Sequence, residues 1–375
     1  MKTIAFTGDL GFSSKYFRGT YDREDLLDSA LVDYLADTDH TVVNVEGCIH
    51  SGTCTASKCL VHANPPECLP FLQKINGNIW ALANNHISDC GREGMESTLR
   101  IAEENGVQTV GIGLNMAQAE KPIIIKNDGA DIGIIAVTDD ETMQATENSE
   151  GCVWWDNNKK VAQMIREVKK TCRFCIVVVH AGPEFCQLMP PSVRKQYKKY
   201  IEYGADIVVG HHPHVVENYE TFGDKIIFYS LGNFVFDTDY QRLQNYTEYG
   251  MFVKFHFDGN HFTWDYQAMK IERESQKIVP CEAPAIFTNV TARQYALLWP
   301  YAMRNQYKNE HAKWLYIYPE METYSKWQWF MFYLKRHKIS ARNHGIISGN
   351  LLYPLQIWRL GDKKLRQYIK NAEKS

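Results

Sequence analysis

Val208-Val209-Gly210-His211-His212-Pro213-His214-Val215-Val216 decides how this chain is read. An apolar run of strand type stops at a glycine and then presents three histidines within four residues. Neutral imidazole is the commonest protein ligand for zinc and related metals. Two histidines spaced as His212 and His214 can point to the same side of an extended segment and share a metal. The alternative is a surface loop that happens to be rich in histidine, since short motifs match by chance.

Working outward, the same construction recurs. Ile4-Ala5-Phe6-Thr7 runs into Gly8-Asp9, and Thr41-Val42-Val43 into Asn44-Val45-Glu46-Gly47. Ile79–Ala83 runs into Asn84-Asn85-His86-Ile87-Ser88-Asp89, and Ile176–Val179 into His180-Ala181-Gly182-Pro183-Glu184. Ile226–Ser230 runs into Leu231-Gly232-Asn233. Ligands of α/β folds bind outside the carboxyl ends of the strands. Strand ends converging this way would build a site of Asp, Glu, Asn and His. That set suits Mn, Fe or Zn and contains no thiolate.

These motifs, in this order, resemble the CapA family of bacterial capsule and poly-γ-glutamate synthesis proteins, of the calcineurin-like metallophosphoesterase superfamily. The resemblance covers roughly residues 1–260, and ordered motifs are far more specific than any one of them. It implies an α/β fold, a four-layer α-β-β-α metallophosphoesterase-like sandwich. It implies one or two divalent metal ions and, by residue, a set of roles. Asp9, Glu46, Asn85, His180, His212 and His214 would be the metal ligands, with Glu46 bridging where relatives use Asp. His86 would be the catalytic histidine, oriented by Asp89. Asn44, Asn84, His211 and Asn233 are the substrate-binding candidates. His211 also reads as solvent-facing or as support behind a ligand, and Asn233 equally as a turn cap. Glu184 is a further acid/base candidate. Ordinary metallophosphoesterases begin D-x-H, whereas this chain has Asp9-Leu10-Gly11, so the first metal position is short of a ligand.

Chemistry alone leads to a similar place. A divalent cation activates water and polarises phosphoryl or carbonyl oxygens. His86 could then protonate a leaving group. Hydrolysis of a phosphoester and of an amide both fit the ligand set. The resemblance points to poly-γ-glutamate or another anionic capsule polymer. A non-catalytic polymer-binding or assembly factor is the alternative, and Gly11 favours it.

Composition bounds the rest. The chain has 375 residues and a net charge of −3. No run of about 20 apolar residues predicts a membrane span. The apolar stretch after Met1 is too short for a leader and ends in Asp9, so the expectation is cytoplasmic. The ten cysteines then read mostly as reduced thiols. A structural zinc on Cys48, Cys54, Cys59 and Cys68 is conceivable, but the spacing lacks a C-x2-C pair. Cys172-Arg173-Phe174-Cys175 has redox spacing without a helix start to lower a thiol pKa. His50, His62, His256, His261, His311, His337 and His344 read as structural or solvent-exposed.

Helical periodicity is expected over 24–36, 94–105, 159–170 and 192–203. Hairpins are expected over 122–138, turning at Asp128-Gly129, and over 251–271, turning at Gly259-Asn260. The loop 47–70 should form part of the substrate wall. The expected organisation is a catalytic domain over 1–272 and a helical, aromatic-rich extension over 273–375. Residues 291–375 carry roughly +10 net charge against roughly −13 for the rest. The stretch Lys326–Arg336 joins basic residues to Trp and Phe, which suits a membrane surface, capsule machinery or an anionic polymer. A helical appendage packing its aromatics on the sandwich or on a second subunit is the plainer reading, and no nucleic-acid module is present.

Overall fold

The computed structural model describes residues 1–52, 54 and 61–291; beyond these it describes 293–299, 302, 315, 319–323, 325 and 328–329. Two sheets face each other. In the first, Lys2–Leu10 lies centrally, parallel to His40–Val45, which continues in parallel to Ile79–Ala81 and Gln108–Val110. On its other side Tyr249–Asp258, His261–Glu272 and Lys277–Pro280 follow in antiparallel order. Asn233–Val235 also pairs with Lys2–Leu10, placing Asn233 opposite Asp9. The second sheet is six-stranded. Phe174–His180 is its centre, parallel to both Ile132–Thr138 and Ile207–His211. Lys225–Phe228, Tyr219–Phe222 and Ile123–Ile125 complete it.

The two-residue period of a strand explains the layering. Phe174, Ile176 and Val178 join the core shared with the first sheet, as do Ile132, Ile134, Ile207, Val209, Ile226 and Phe228. Their neighbours Cys175, Val177, Val179, Ile135, Val137, Val208 and Ile227 point the other way. There they meet helices Asn158–Thr171 and Pro191–Tyr203, which contribute Val161, Ile165, Val168, Tyr197 and Tyr200. Both faces of these strands are buried, hence the unbroken apolar runs in the sequence. Helix Ser29–Ala36 packs with His261–Glu272 and Lys277–Pro280 of the first sheet, and helix Gly91–Glu104 with Cys48–Ile49 and Gln108–Val110. The α-β-β-α sandwich is therefore the fold of this region.

Four differences have local causes. The helix expected from residue 24 begins at Ser29, because Leu27 bridges Ile278 and Asp28 accepts a cap hydrogen bond from the Ala30 N–H. The extension expected from 273 begins later: Lys277–Pro280 closes the first sheet, and the first compact unit runs Met1–Asn289. A second unit spans Val290–Ser375. Most of it lies outside the described residues, including the Lys326–Arg336 aromatic stretch apart from 328–329 and the greater part of 291–375, over which partner contacts are expected. Third, the loop 47–70 is pinned where it is described: Cys48–Ile49 pairs with Ala63–Asn64, and Pro66–Cys68 forms a 3-10 turn. Fourth, Cys54 and Cys90 form a disulfide. That corrects the thiol reading at these two positions and withdraws Cys54 from any zinc set. Disulfides are a feature of oxidising compartments. Among the described residues no helix is long and apolar enough to cross a membrane.

Candidate metal centre

The carboxyl ends of strands from both sheets meet at one buried place. Asp9 comes from the first strand and Glu46 follows the second. Asn84, Asn85 and His86 follow the third, His180 ends the central strand of the second sheet, and His211 ends its neighbour. Asn44 joins the halves: its Nδ2 donates to Asp9 Oδ1 at 2.9 Å and lies 3.3 Å from His180 Nδ1.

Two groups of ligand atoms converge. Asp9, Glu46 and His214 each offer an atom within 4.8 Å of the others, and all three are buried. His214 lies 3.2 Å from Asp9 Oδ2 through Nδ1 and 3.6 Å from Glu46 Oε1 through Nε2. Beside them, His180 Nε2 is 3.0 Å from Asn85 Oδ1 and 3.2 Å from His212 Nδ1. The first group fits a cation. Both Glu46 carboxylate oxygens are buried with no hydrogen-bond partner. A buried carboxylate in that state costs several kcal/mol unless a positive charge sits against it. The donors are oxygen and imidazole nitrogen, a set for Mn, Fe or Zn.

Electrostatics divide the ligands. Burial opposes ionisation of Asp9, but hydrogen bonds and charge from His211 and His214 outweigh it, so its carboxyl lies well below the usual value. Burial pushes Glu46 up to about 8, against the pull of His214 and with help from Asp9 and Asp89. His214 is lowered by burial and raised more by Glu46 and Asp9, to about 9. Burial, with neighbouring imidazoles, holds His180 well below its ordinary value, and burial holds His212 at about 4. Both are therefore neutral near pH 7, as a metal ligand must be, whereas Glu46 and His214 hold protons that a bound cation would displace.

His86 stands at the side of this centre. Its Nδ1 is 2.7 Å from Asp89 Oδ2, and its Nε2 is 3.9 Å from Glu46 Oε1. Asp89 thus lies where a carboxylate fixes the ring orientation of an imidazole.

The substrate-binding candidates are differently placed. Asn84 uses its side chain on backbone, accepting from Gly47 N and His86 N and donating to Val45 O. Asn233 Oδ1 is 3.0 Å from His214 Nδ1, while its Nδ2 donates to Gln241 Oε1 and Thr247 O. Both hold ligand-bearing segments. His211 is buried rather than solvent-facing, its Nδ1 2.9 Å from Asp9 Oδ1. Asn44 keeps Oδ1 buried without a hydrogen bond. Glu184 is half-buried in the loop after His180, and the next residue, Phe185, donates its N–H to Pro213 O at 2.7 Å.

The histidine stretch does not run extended. His212 has φ of 93° and His214 φ of 56°. Such left-handed conformations are strained for these residues and persist where surroundings impose them. The two rings reach one site through a turn, not through a pleat. At Gly11, a Cβ would sit 2.9 Å from the Phe236 ring, which itself stacks on His214 with centroids 4.7 Å apart. An aromatic ring thus fills the space that a histidine at position 11 would need.

Two residues escaped the sequence reading. Asp139 follows Ile132–Thr138, and its Oδ2 is 3.6 Å from His212 Nε2. The signal was there, an apolar strand ending in Thr138-Asp139-Asp140, but that strand reads as half of a hairpin. His62, read as structural or solvent-exposed, is buried, with its ring centroid 4.2 Å from that of His86. Nothing periodic precedes it.

A family model described as bacterial capsule synthesis protein PGA_cap matches residues 3–238. The PGA biosynthesis protein CapA of Bacillus subtilis (strain 168) is 34% identical over 197 residues, 52% of this chain and 50% of that one. The capsule biosynthesis protein CapA of Bacillus anthracis is 30% identical over 199 residues, 52% and 47% of the two chains. A putative 5'-nucleotidase structure from Staphylococcus aureus aligns with a TM-score of 0.44 at 13% identity, over 84% of this chain and 59% of that one. The chain spans about half the length of the curated relatives it matches. With the ordered motifs at its strand ends and a match over 3–238, this chain belongs to the bacterial capsule synthesis protein PGA_cap family, in the metallophosphoesterase-like superfamily.

Proposed function

We propose that this chain is a divalent-metal-dependent hydrolase acting in the synthesis or processing of poly-γ-glutamate or another anionic capsule polymer. One observation carries the reading: the Glu46 carboxylate, buried with neither oxygen hydrogen-bonded, beside Asp9 and His214. Asp9, Glu46 and His214 would hold one cation, and Asn85, His180 and His212, with Glu46, a second. The chemistry such a cation supplies is Lewis-acid polarisation of a phosphoryl or carbonyl oxygen and of an attacking water. The chain does the rest. His180 and His212 stay neutral and leave the site net positive charge. Asn44 and His211 fix the Asp9 carboxylate, and Asn233 fixes His214. Asp89 anchors His86 through Nδ1, so Nε2, on the Glu46 side, is the atom that would deliver a proton to a leaving group. Glu184 would serve as a further acid/base group. The basic balance of residues 291–375 supports contact with an anionic polymer or membrane.

A non-catalytic polymer-binding factor is the second reading, favoured by Phe236 beside Gly11. The test uses the purified chain loaded in turn with Mn, Fe and Zn. Substrates are a chromogenic phosphomonoester, a phosphodiester, and poly-γ-glutamate followed by chain length. The expected result is cation-dependent turnover of one of them, reduced about 100-fold or more in His86→Ala. Absence of turnover with every cation, together with polymer binding that survives His86→Ala, would replace the hydrolase reading with the binding one.

A further inference from the structure

We infer that His62 is a positioning residue for His86, an inference that rests on the reading of His86 as the proton donor. Four contacts place it. Its ring meets the His86 ring edge-on, with centroids 4.2 Å apart and planes at 86°. Its other neighbour is Phe236, 5.0 Å away, the same ring that stacks on His214. Its Nδ1 and Ser13 Oγ share a 2.6 Å hydrogen bond, and Ser13 lies on the segment leaving Asp9. Its backbone N–H donates to Asp89 Oδ2 at 2.9 Å, the oxygen that also receives His86 Nδ1.

His62 is itself rigidly held. Its carbonyl oxygen lies 2.3 Å from where a Cβ on Gly47 would be, so the two backbones touch directly after Glu46, and Gly47 takes φ of +82°. The adjoining Ala63–Asn64 pairs with Cys48–Ile49, and Asn64 Nδ2 donates to Glu46 O at 2.9 Å. The segment is therefore part of the Glu46 strand end. A carboxylate hydrogen bond alone leaves an imidazole free to rock about it, and an edge-on ring removes that freedom. His62 supplies this wall while also fixing one oxygen of the Asp89 carboxylate. Small errors in the placement of a reacting group are costly, reaching about 100-fold for 1 Å.

The experiment uses the full metal-loaded chain and the variants His62→Ala, His62→Phe and Ser13→Ala. One readout is the downfield ring N–H proton of His86, identified by its absence in His86→Gln. The other is kcat and KM on a chromogenic phosphodiester. His62→Ala should broaden or abolish the His86 signal and lower kcat about 10-fold or more, with KM within about twofold. His62→Phe, which keeps an edge, should restore both. A folded His62→Ala protein with an unchanged signal and unchanged kcat overturns the inference. So does a His62→Phe protein as impaired as His62→Ala. If His62→Ala does not fold, Ser13→Ala decides: a sharpness and rate equal to wild type overturn it, and a broadened signal supports it. Absence of turnover of the phosphodiester by the wild type moves the kinetic readout to whichever substrate the chain turns over, and absence of turnover with every substrate and cation counts against the hydrolase reading while the His86 signal still tests His62.

Discussion

Stripping the cation and raising the pH should destabilise this chain through Glu46 and His214. Glu46 has an ordinary pKa of 4.5 and about 8 in the fold, so between these values the folded protein keeps a proton that the unfolded chain has lost. Stability then falls as pH rises. His214 moves from 6.5 to about 9, so its contribution is complete below 6.5 and is lost as pH rises through 9. His180 and His212 act in the opposite sense, but only below 6.5, where their unfolded forms take up protons. Asp9 is depressed and acts only below its ordinary 3.8. The clean window is thus pH 6.5 to 9. At about 1.4 kcal/mol per pH unit, Glu46 loses about 2 kcal/mol between pH 6.5 and 8, and the loss from His214, whose rise rests on Glu46 and Asp9, has the same sign. The assay is urea unfolding of chelator-treated protein at pH 6.5, 7.5 and 9, with Glu46→Gln as the comparison. Wild type should lose at least about 2 kcal/mol across the window, and the variant markedly less, since the substitution removes both the Glu46 proton and the charge that raises His214. Glu217, also buried and raised well above its ordinary value, is common to both proteins and cancels. Saturating Mn or Zn should flatten the wild-type profile, because the cation replaces the protons. A chelated wild type equally stable at pH 6.5 and 9, or a Gln variant that falls as steeply, would refute the reasoning.

Other perturbations have equally definite outcomes. Reducing Cys54–Cys90, which closes 36 residues of sequence, should lower stability by about 3–4 kcal/mol. Thermal unfolding with and without reductant reads this, and Cys54→Ser should be insensitive to reductant. Gly210→Ala should cost about 3 kcal/mol or more, since its Cβ would lie 2.0 Å from Tyr229 O in the neighbouring strand segment. Urea unfolding measures it, and near-neutrality would mean that the strand ends are looser than described. Gly11→His alone should destabilise by about 1–3 kcal/mol against Phe236 without tightening metal binding. Adding Phe236→Ala should tighten it, as calorimetric titration of Mn would show.

The sequence revealed what obeys short-range rules. Apolar strands that stop at Gly8-Asp9, Asn84-Asn85-His86, His180 or Gly210-His211 carry their own punctuation. Because parallel strands send their carboxyl ends to one edge, those residues had to meet. Unbroken apolar runs likewise foretold strands buried on both faces. What escaped reading depends on the third dimension. His62 follows a loop with no periodicity, and long-range contacts, the Gly47 backbone and the Asp89 carboxylate among them, bring it to His86. Asp139 was hidden by a strand that serves both a hairpin and a parallel ladder. Cys90 is 36 residues from Cys54, beyond any spacing motif. The left-handed turns at His212 and His214 are imposed by tertiary contacts, so the tripeptide alone reads as extended.

The central claim is that Asp9, Glu46 and His214 hold a divalent cation. Its most direct test is the metal content of the purified chain after exposure to Mn, Fe and Zn and exhaustive dialysis, by elemental analysis. Wild type should retain one or two equivalents, and a folded Glu46→Gln variant should lose at least one. No bound metal in the wild type, or equal content in both proteins, would contradict the account.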